Sequence, residues 1–109
     1  MKLLLKDKRV DPSANDNEAI RGASLKGHHD VVELLLSELR VDPSERDNEA
    51  IRLASLRGHA DVVKVLLKDG RADPSARDNE AIRLASSNGH GKTVKLLLSD
   101  SRVDPIAAV

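Results

Sequence analysis

Apolar residues fall into two alternating kinds of segment along this chain. In the first kind they form a narrow stripe of Ala and Ile: Ala19, Ile20 and Ala23, then Ala50, Ile51 and Ala54, then Ala81, Ile82 and Ala85. In the second kind Val and Leu run almost unbroken: Val31 to Leu36, Val62 to Leu67, and a weaker third run from Thr93 to Leu98. The stripe has helical spacing and predicts a helix that packs on one side. The unbroken run predicts a helix buried on several sides. Small alanines let neighbouring helices approach closely. Gly27, Gly58 and Gly89 close the first helix of each pair, because glycine tolerates the left-handed conformation that ends a helix. The first helices are expected to start near Asp16-Asn17, Asp47-Asn48 and Asp78-Asn79. The second are expected over 30–38, 61–69 and about 92–100.

The pairs are copies of one unit. Asp47 to Leu67 occurs upstream as Asp16 to Leu36 and downstream as Asp78 to Leu98. Arg9, Arg40, Arg71 and Arg102 recur with a period of 31, each followed by Val or Ala and then Asp-Pro. A fixed period of roughly 20–50 residues signals a solenoid. Asp-Pro reads as a helix cap followed by a favoured first helical position. The few polar residues after it suffice for a turn and not for a strand pair, so little or no β-structure is expected. Asp or Asn then caps the next helix, and Glu18, Glu49 and Glu80 suit its positive end. Each Glu stands three residues before Arg21, Arg52 or Arg83, which predicts an ion pair on one helix face. The expectation is one all-α domain over 1–109. It divides into a truncated leading helix (1–8), repeats at 9–39, 40–70 and 71–101, and a C-terminal stub (102–109). The start and stop within a unit would also suit a piece of a longer or designed array.

Composition narrows the chemistry. The chain has no Phe, Trp or Tyr, so the core must be aliphatic and no ring is available to stack on a base or a flavin. Lys+Arg and Asp+Glu both number 18, which removes long-range attraction to polyanions or membrane surfaces. The absence of Cys excludes disulfides and thiolate chemistry. The apolar run Leu3-Leu4-Leu5 is too short for a signal peptide, and no stretch reaches membrane-spanning length. A cytoplasmic chain with neither a membrane nor a nucleic-acid partner is expected.

The remaining candidates for chemistry read as structural. His28, His59 and His90 should lie roughly 10 Å apart in stacked units, too far to share a metal ion. The arginine ladder has a carboxylate near every guanidinium, whereas phosphate binding needs uncompensated charge. Gly-His lacks the Lys-Ser/Thr that completes a phosphate loop. No catalytic residue, metal or cofactor is expected. Ser24, Ser55 and Ser86 read as packing residues, and Leu39 as a local loop contact. Two features stay open. Gly22 replaces the Leu of the other copies (Leu53, Leu84), either because nothing is there to pack on or as a gap for a partner's side chain. Leu25 and Leu56, flanked by Lys26 and Arg57, form either a partner-facing stripe or internal packing.

The unit resembles an ankyrin repeat over essentially the whole chain. Leu53-Ala54-Ser55-Leu56-Arg57-Gly58-His59 is similar to the family's Leu-Ala-Ala-x-x-Gly-His, and Val62-Val63-Lys64-Val65-Leu66-Leu67 to its Val-Val-x-Leu-Leu-Leu. The period is shorter than the family's usual 33 or so. Glu49-Ala50-Ile51-Arg52 replaces Thr-Pro-Leu-His, with Glu49 and Arg52 expected to pair in place of the Thr and His. The resemblance implies a non-catalytic protein-interaction scaffold whose partner sits on the concave face. Elimination places binding at the positions that differ between units. These are Asn15, Arg46 and Arg77 in the turns, Leu25, Lys26, Leu56, Arg57, Ser87 and Asn88 at the ends of the first helices, and His29, Ala60 and Gly91 just beyond. A second expectation is self-association, because both ends of the array expose helices made to be covered.

Overall fold

The computed structural model describes residues 11–108. Six α-helices follow in order: α1 (Ala14–Lys26), α2 (His29–Leu36), α3 (Glu45–Arg57), α4 (Ala60–Asp69), α5 (Ala76–Ser87) and α6 (Gly91–Leu98). A 3-10 helix, Pro105–Ala108, follows them. There is no strand among the described residues. The expected leading helix over 1–8 lies outside the described residues.

The helices form two layers. Odd-numbered helices pack side by side, even-numbered helices do the same, and each odd helix also packs on the even helix that follows it. The result is elongated, 46 × 20 × 19 Å. The core lies between the layers. Ile20, Ala50, Ile51, Ala54, Ala81, Ile82 and Ala85 enter it from the odd helices, and Val32, Val62, Val63, Leu66 and Leu97 from the even ones. Alanine on the odd helices keeps the backbones close, while branched residues fill the space above them.

Each turn is built by short-range hydrogen bonds. Asp42 Oδ1 accepts from the Ser44 amide at 2.9 Å and the Ser44 hydroxyl at 2.5 Å. Asp11 and Asp73 do the same with Ser13 and Ser75. The serine hydroxyl, and then its amide, hold the Asp11 and Asp73 carboxyls below the usual carboxylate range. The Arg102 guanidinium does the same for Asp100.

The start of each odd helix differs from expectation. Asn15, Asp16 and Asn17 have φ of 55°, 56° and 61°, and Arg46–Asn48 and Arg77–Asn79 repeat this left-handed turn. The right-handed helix runs from Glu18, Glu49 and Glu80 onward. Among the described residues no Asp or Asn side chain of this turn is hydrogen-bonded to the first amides of the helix. Instead Asn17 Oδ1 accepts from the Asp42 amide of the next unit at 2.7 Å, and Asn48 from Asp73 at 2.7 Å. Left-handed backbone is unfavourable for residues with a Cβ, by about 1–2 kcal/mol each. Asn and Asp are the residues that tolerate it best. The arginines supply the rest: Arg52 Nε donates to Asp47 O at 2.9 Å and Nη2 to Arg46 O at 2.9 Å, with the same arrangement at Arg21 and Arg83.

The expected Glu–Arg pairing within one helix is also corrected. Arg21 Nη1 meets Glu49 of the next unit at 2.8 Å, and Arg52 Nη1 meets Glu80 at 3.3 Å. The two remaining guanidinium nitrogens are committed to the left-handed turn, so the third reaches sideways across the stack. Leu39 makes no loop contact: it is 94% exposed.

Candidate interaction surface

Glu18, Arg21, Gly22 and Leu25 lie at i, i+3, i+4 and i+7, on the face of α1 opposite Ile20 and Ala23. The same spacing gives Glu49, Arg52, Leu53 and Leu56 on α3, and Glu80, Arg83, Leu84 and Ser87 on α5. This is the outward face of the odd layer. Leu25, Leu53, Leu56 and Leu84 are half-buried on it, and Ser87 is exposed. The face is graded: carboxylates at its start, leucines in the middle, and exposed Lys26 and Arg57 at its end. Between α1 and α3 it carries a cleft of about 140 Å³ lined by Glu18, Arg21, Gly22, Leu25, Glu49 and Leu53.

The end of this face runs into the loop edge. Gly27 and Gly58 have φ of 79° and 73°, and the ring of the next unit's histidine lies against each. A Cβ on Gly27 would stand 2.6 Å from His59 Nδ1, and one on Gly58 2.5 Å from His90 Nδ1. The far ring nitrogens complete the contact: His59 Nε2 is 2.9 Å from Leu25 O, and His90 Nε2 is 3.0 Å from Leu56 O. These histidines thus tie each helix end to the following unit. A second cleft of about 290 Å³ follows the same edge, lined by Gly27, Gly58, His59, Ala60, Asp61 and Lys92.

The positions singled out from the sequence fall into two rows. Leu25, Lys26, Leu56, Arg57, Ser87 and Asn88 stand at the ends of the odd helices. His29, Ala60 and Gly91 open the even helices directly beyond, so these nine share one strip. His29 lies 3.0 Å from Asp30 and 4.0 Å from Asp61. Asn15, Arg46 and Arg77 are not brought to that strip. They sit in the left-handed turns at the other end of the odd helices, separated by about 12 Å of helix at 1.5 Å per residue. Arg46 pairs with Asp16 at 3.7 Å and Arg77 with Glu80 at 3.3 Å.

Leu53 and Leu84 lie between the two rows and escape an argument from variation, because leucine in two of the three copies reads as core and only Gly22 departs from it; both leucines reach the outward face. Their signal is their spacing of three residues before Leu56 and Ser87.

No helix among the described residues is long and apolar enough to cross a membrane. No curated protein matches the chain. A family model of ankyrin repeats, in three copies, matches residues 20–107, and the chain belongs to that family, whose members are generally protein–protein interaction modules without catalytic activity.

Proposed function

We propose that this chain is a non-catalytic interaction module that holds a protein partner against the outward face of its odd helices and the adjoining loop edge. The observation that carries the reading is the row of half-buried leucines, Leu25, Leu53, Leu56 and Leu84, left on a face that has no further layer over it among the described residues. Lys26, Arg57, Ser87, Asn88, His29, Ala60 and Gly91 rim that row and differ between units, as specificity requires. Asn15, Arg46 and Arg77 form a second rim across the face. A partner with apolar side chains flanked by an acidic group suits the leucines and the Lys26–Arg57 edge. A cytoplasmic location, and a function without nucleic acid, membrane or cofactor, belong to the same proposal. The test is a partner captured by the whole chain and measured against a Leu56→Ala/Arg57→Ala double variant. At least about a tenfold loss of affinity is expected if this is the centre of the interface. Unchanged affinity would remove the reading.

Head-to-tail self-association is a second reading, favoured by one observation. Gly27 and Gly58 each seat a histidine ring, whereas among the described residues nothing stands within 4 Å of a Cβ built on Gly89, and His28 is exposed. A second copy's His28 would fit that seat. Light scattering across a wide concentration range decides it: a constant monomer mass sinks this reading and leaves the first untouched.

A further inference from the structure

We infer that the Gly22 cleft is a socket for one cationic side chain, arginine or lysine, of the bound partner. The inference rests on the reading of the odd-helix face as the partner surface. Its starting point is the glutamate ladder. Glu49 receives the Arg21 guanidinium and Glu80 receives that of Arg52. Glu18 occupies the same position on α1, is exposed, and has no ion-pair or hydrogen-bond partner among the described residues. The chain itself therefore shows which chemistry this position takes: a cation presented across the face.

The cleft beside Glu18 fits such a group. Glycine at position 22 leaves open the volume that Leu53 and Leu84 fill on the other odd helices, and a Cβ built there meets nothing within 4 Å among the described residues. The space, about 140 Å³, has Leu25 and Leu53 as apolar walls and Glu18 and Glu49 at its rim. It is well below the roughly 300–1,000 Å³ of small-molecule sites, but one long side chain fits it. Arg21 also lines it and does not cancel its charge. Its Nη1 is held by Glu49 at 2.8 Å, its Nε by Asp16 O at 3.0 Å and its Nη2 by Asn15 O at 3.1 Å. The carboxylate left without a counter-charge is that of Glu18. The aliphatic stem of an arginine or lysine covers the two leucines while its charged end reaches Glu18.

The test is selection from a displayed random-peptide library on the whole chain, with counter-selection on Gly22→Leu. That variant carries the residue of the other two copies and improves helix propensity, so it should fold; circular dichroism verifies this. Peptides that prefer the wild-type chain are expected to share one arginine or lysine. They should bind Gly22→Leu about tenfold or more weaker. Glu18→Gln, or norleucine in place of the peptide's cation, should cost roughly two- to fivefold. Discriminating peptides that share an acidic or aromatic residue instead would overturn the socket. So would peptides that bind both proteins equally but lose affinity for Leu56→Ala/Arg57→Ala, and that outcome leaves the interaction face standing. Peptides insensitive to either substitution would overturn both.

Discussion

Three hydroxyls stand out at the scale of single residues. Ser24, Ser55 and Thr93 are buried, and none of their side-chain oxygens has a hydrogen-bond partner among the described residues. Ser24 and Ser55 hold positions where the sequence predicts packing, and packing is what they do. A buried hydroxyl without a partner forfeits its hydration and gains only contacts, at a cost of about 1–3 kcal/mol. Thr93 is the sharpest case, because the equivalent residue one unit earlier is Val62, also fully buried. Thr93→Val keeps the shape and removes the orphan oxygen. It should stabilise the chain by about 1–2 kcal/mol in urea denaturation. A loss of stability would mean that the hydroxyl is satisfied and that this account of the third unit is wrong.

Element by element, the sequence is legible where the signal is periodic and silent where two registers compete. The helix pairs follow from apolar spacing, and their stops follow from glycine. The left-handed turns are signalled only by Asp-Asn, which equally suits a helix cap; the arginine that fixes the choice lies five residues away. The Glu–Arg partner is ambiguous for a different reason. With a period of 31, Arg21 and Arg52 each have a glutamate three residues before them and another 28 residues after them. Only the stacking selects the second. Arg52 then does three jobs at once: two hydrogen bonds to the left-handed turn and one ion pair to the next helix. Lysine carries the charge but not the fork. Arg52→Lys should cost about 2–3 kcal/mol, since it leaves turn carbonyls and Glu80 competing for one ammonium. Arg83 keeps the two turn bonds, but no carboxylate pairs with it among the described residues, and it is exposed. Arg83→Lys should cost less than Arg52→Lys. Equal losses by chemical denaturation would show that the pairing between units contributes nothing.

At the scale of the whole molecule, the side-chain ties between helix pairs reach only the adjacent pair among the described residues. Arg21 to Glu49, Asn17 to the Asp42 amide, and His59 to Leu25 O each join one helix pair to the next, and Arg71, in the loop after α4, reaches back to Val41 O and to Leu36 O at the end of α2, again the adjacent pair. Stability in such a chain is a sum of unit terms and nearest-neighbour terms. The α3–α4 pair has neighbours on both sides, whereas α5–α6 is followed only by the short 3-10 helix among the described residues. Leu66 on α4 and Leu97 on α6 are both fully buried, so either change to alanine should cost about 2–5 kcal/mol at its own site. The consequences should diverge. Leu66→Ala removes the unit through which the two flanking pairs support each other, and protection against amide hydrogen exchange should fall in all six helices. Leu97→Ala should strip protection from α6 and the end of α5 and leave α1–α4 nearly as slow as before. A uniform fall in both variants would instead mark the chain as one cooperative block. In the first case the outward face of α1 and α3, with Leu25, Leu53 and the Gly22 cleft, remains folded when the far end opens. A peptide bound there should then keep its affinity in Leu97→Ala and lose it in Leu66→Ala.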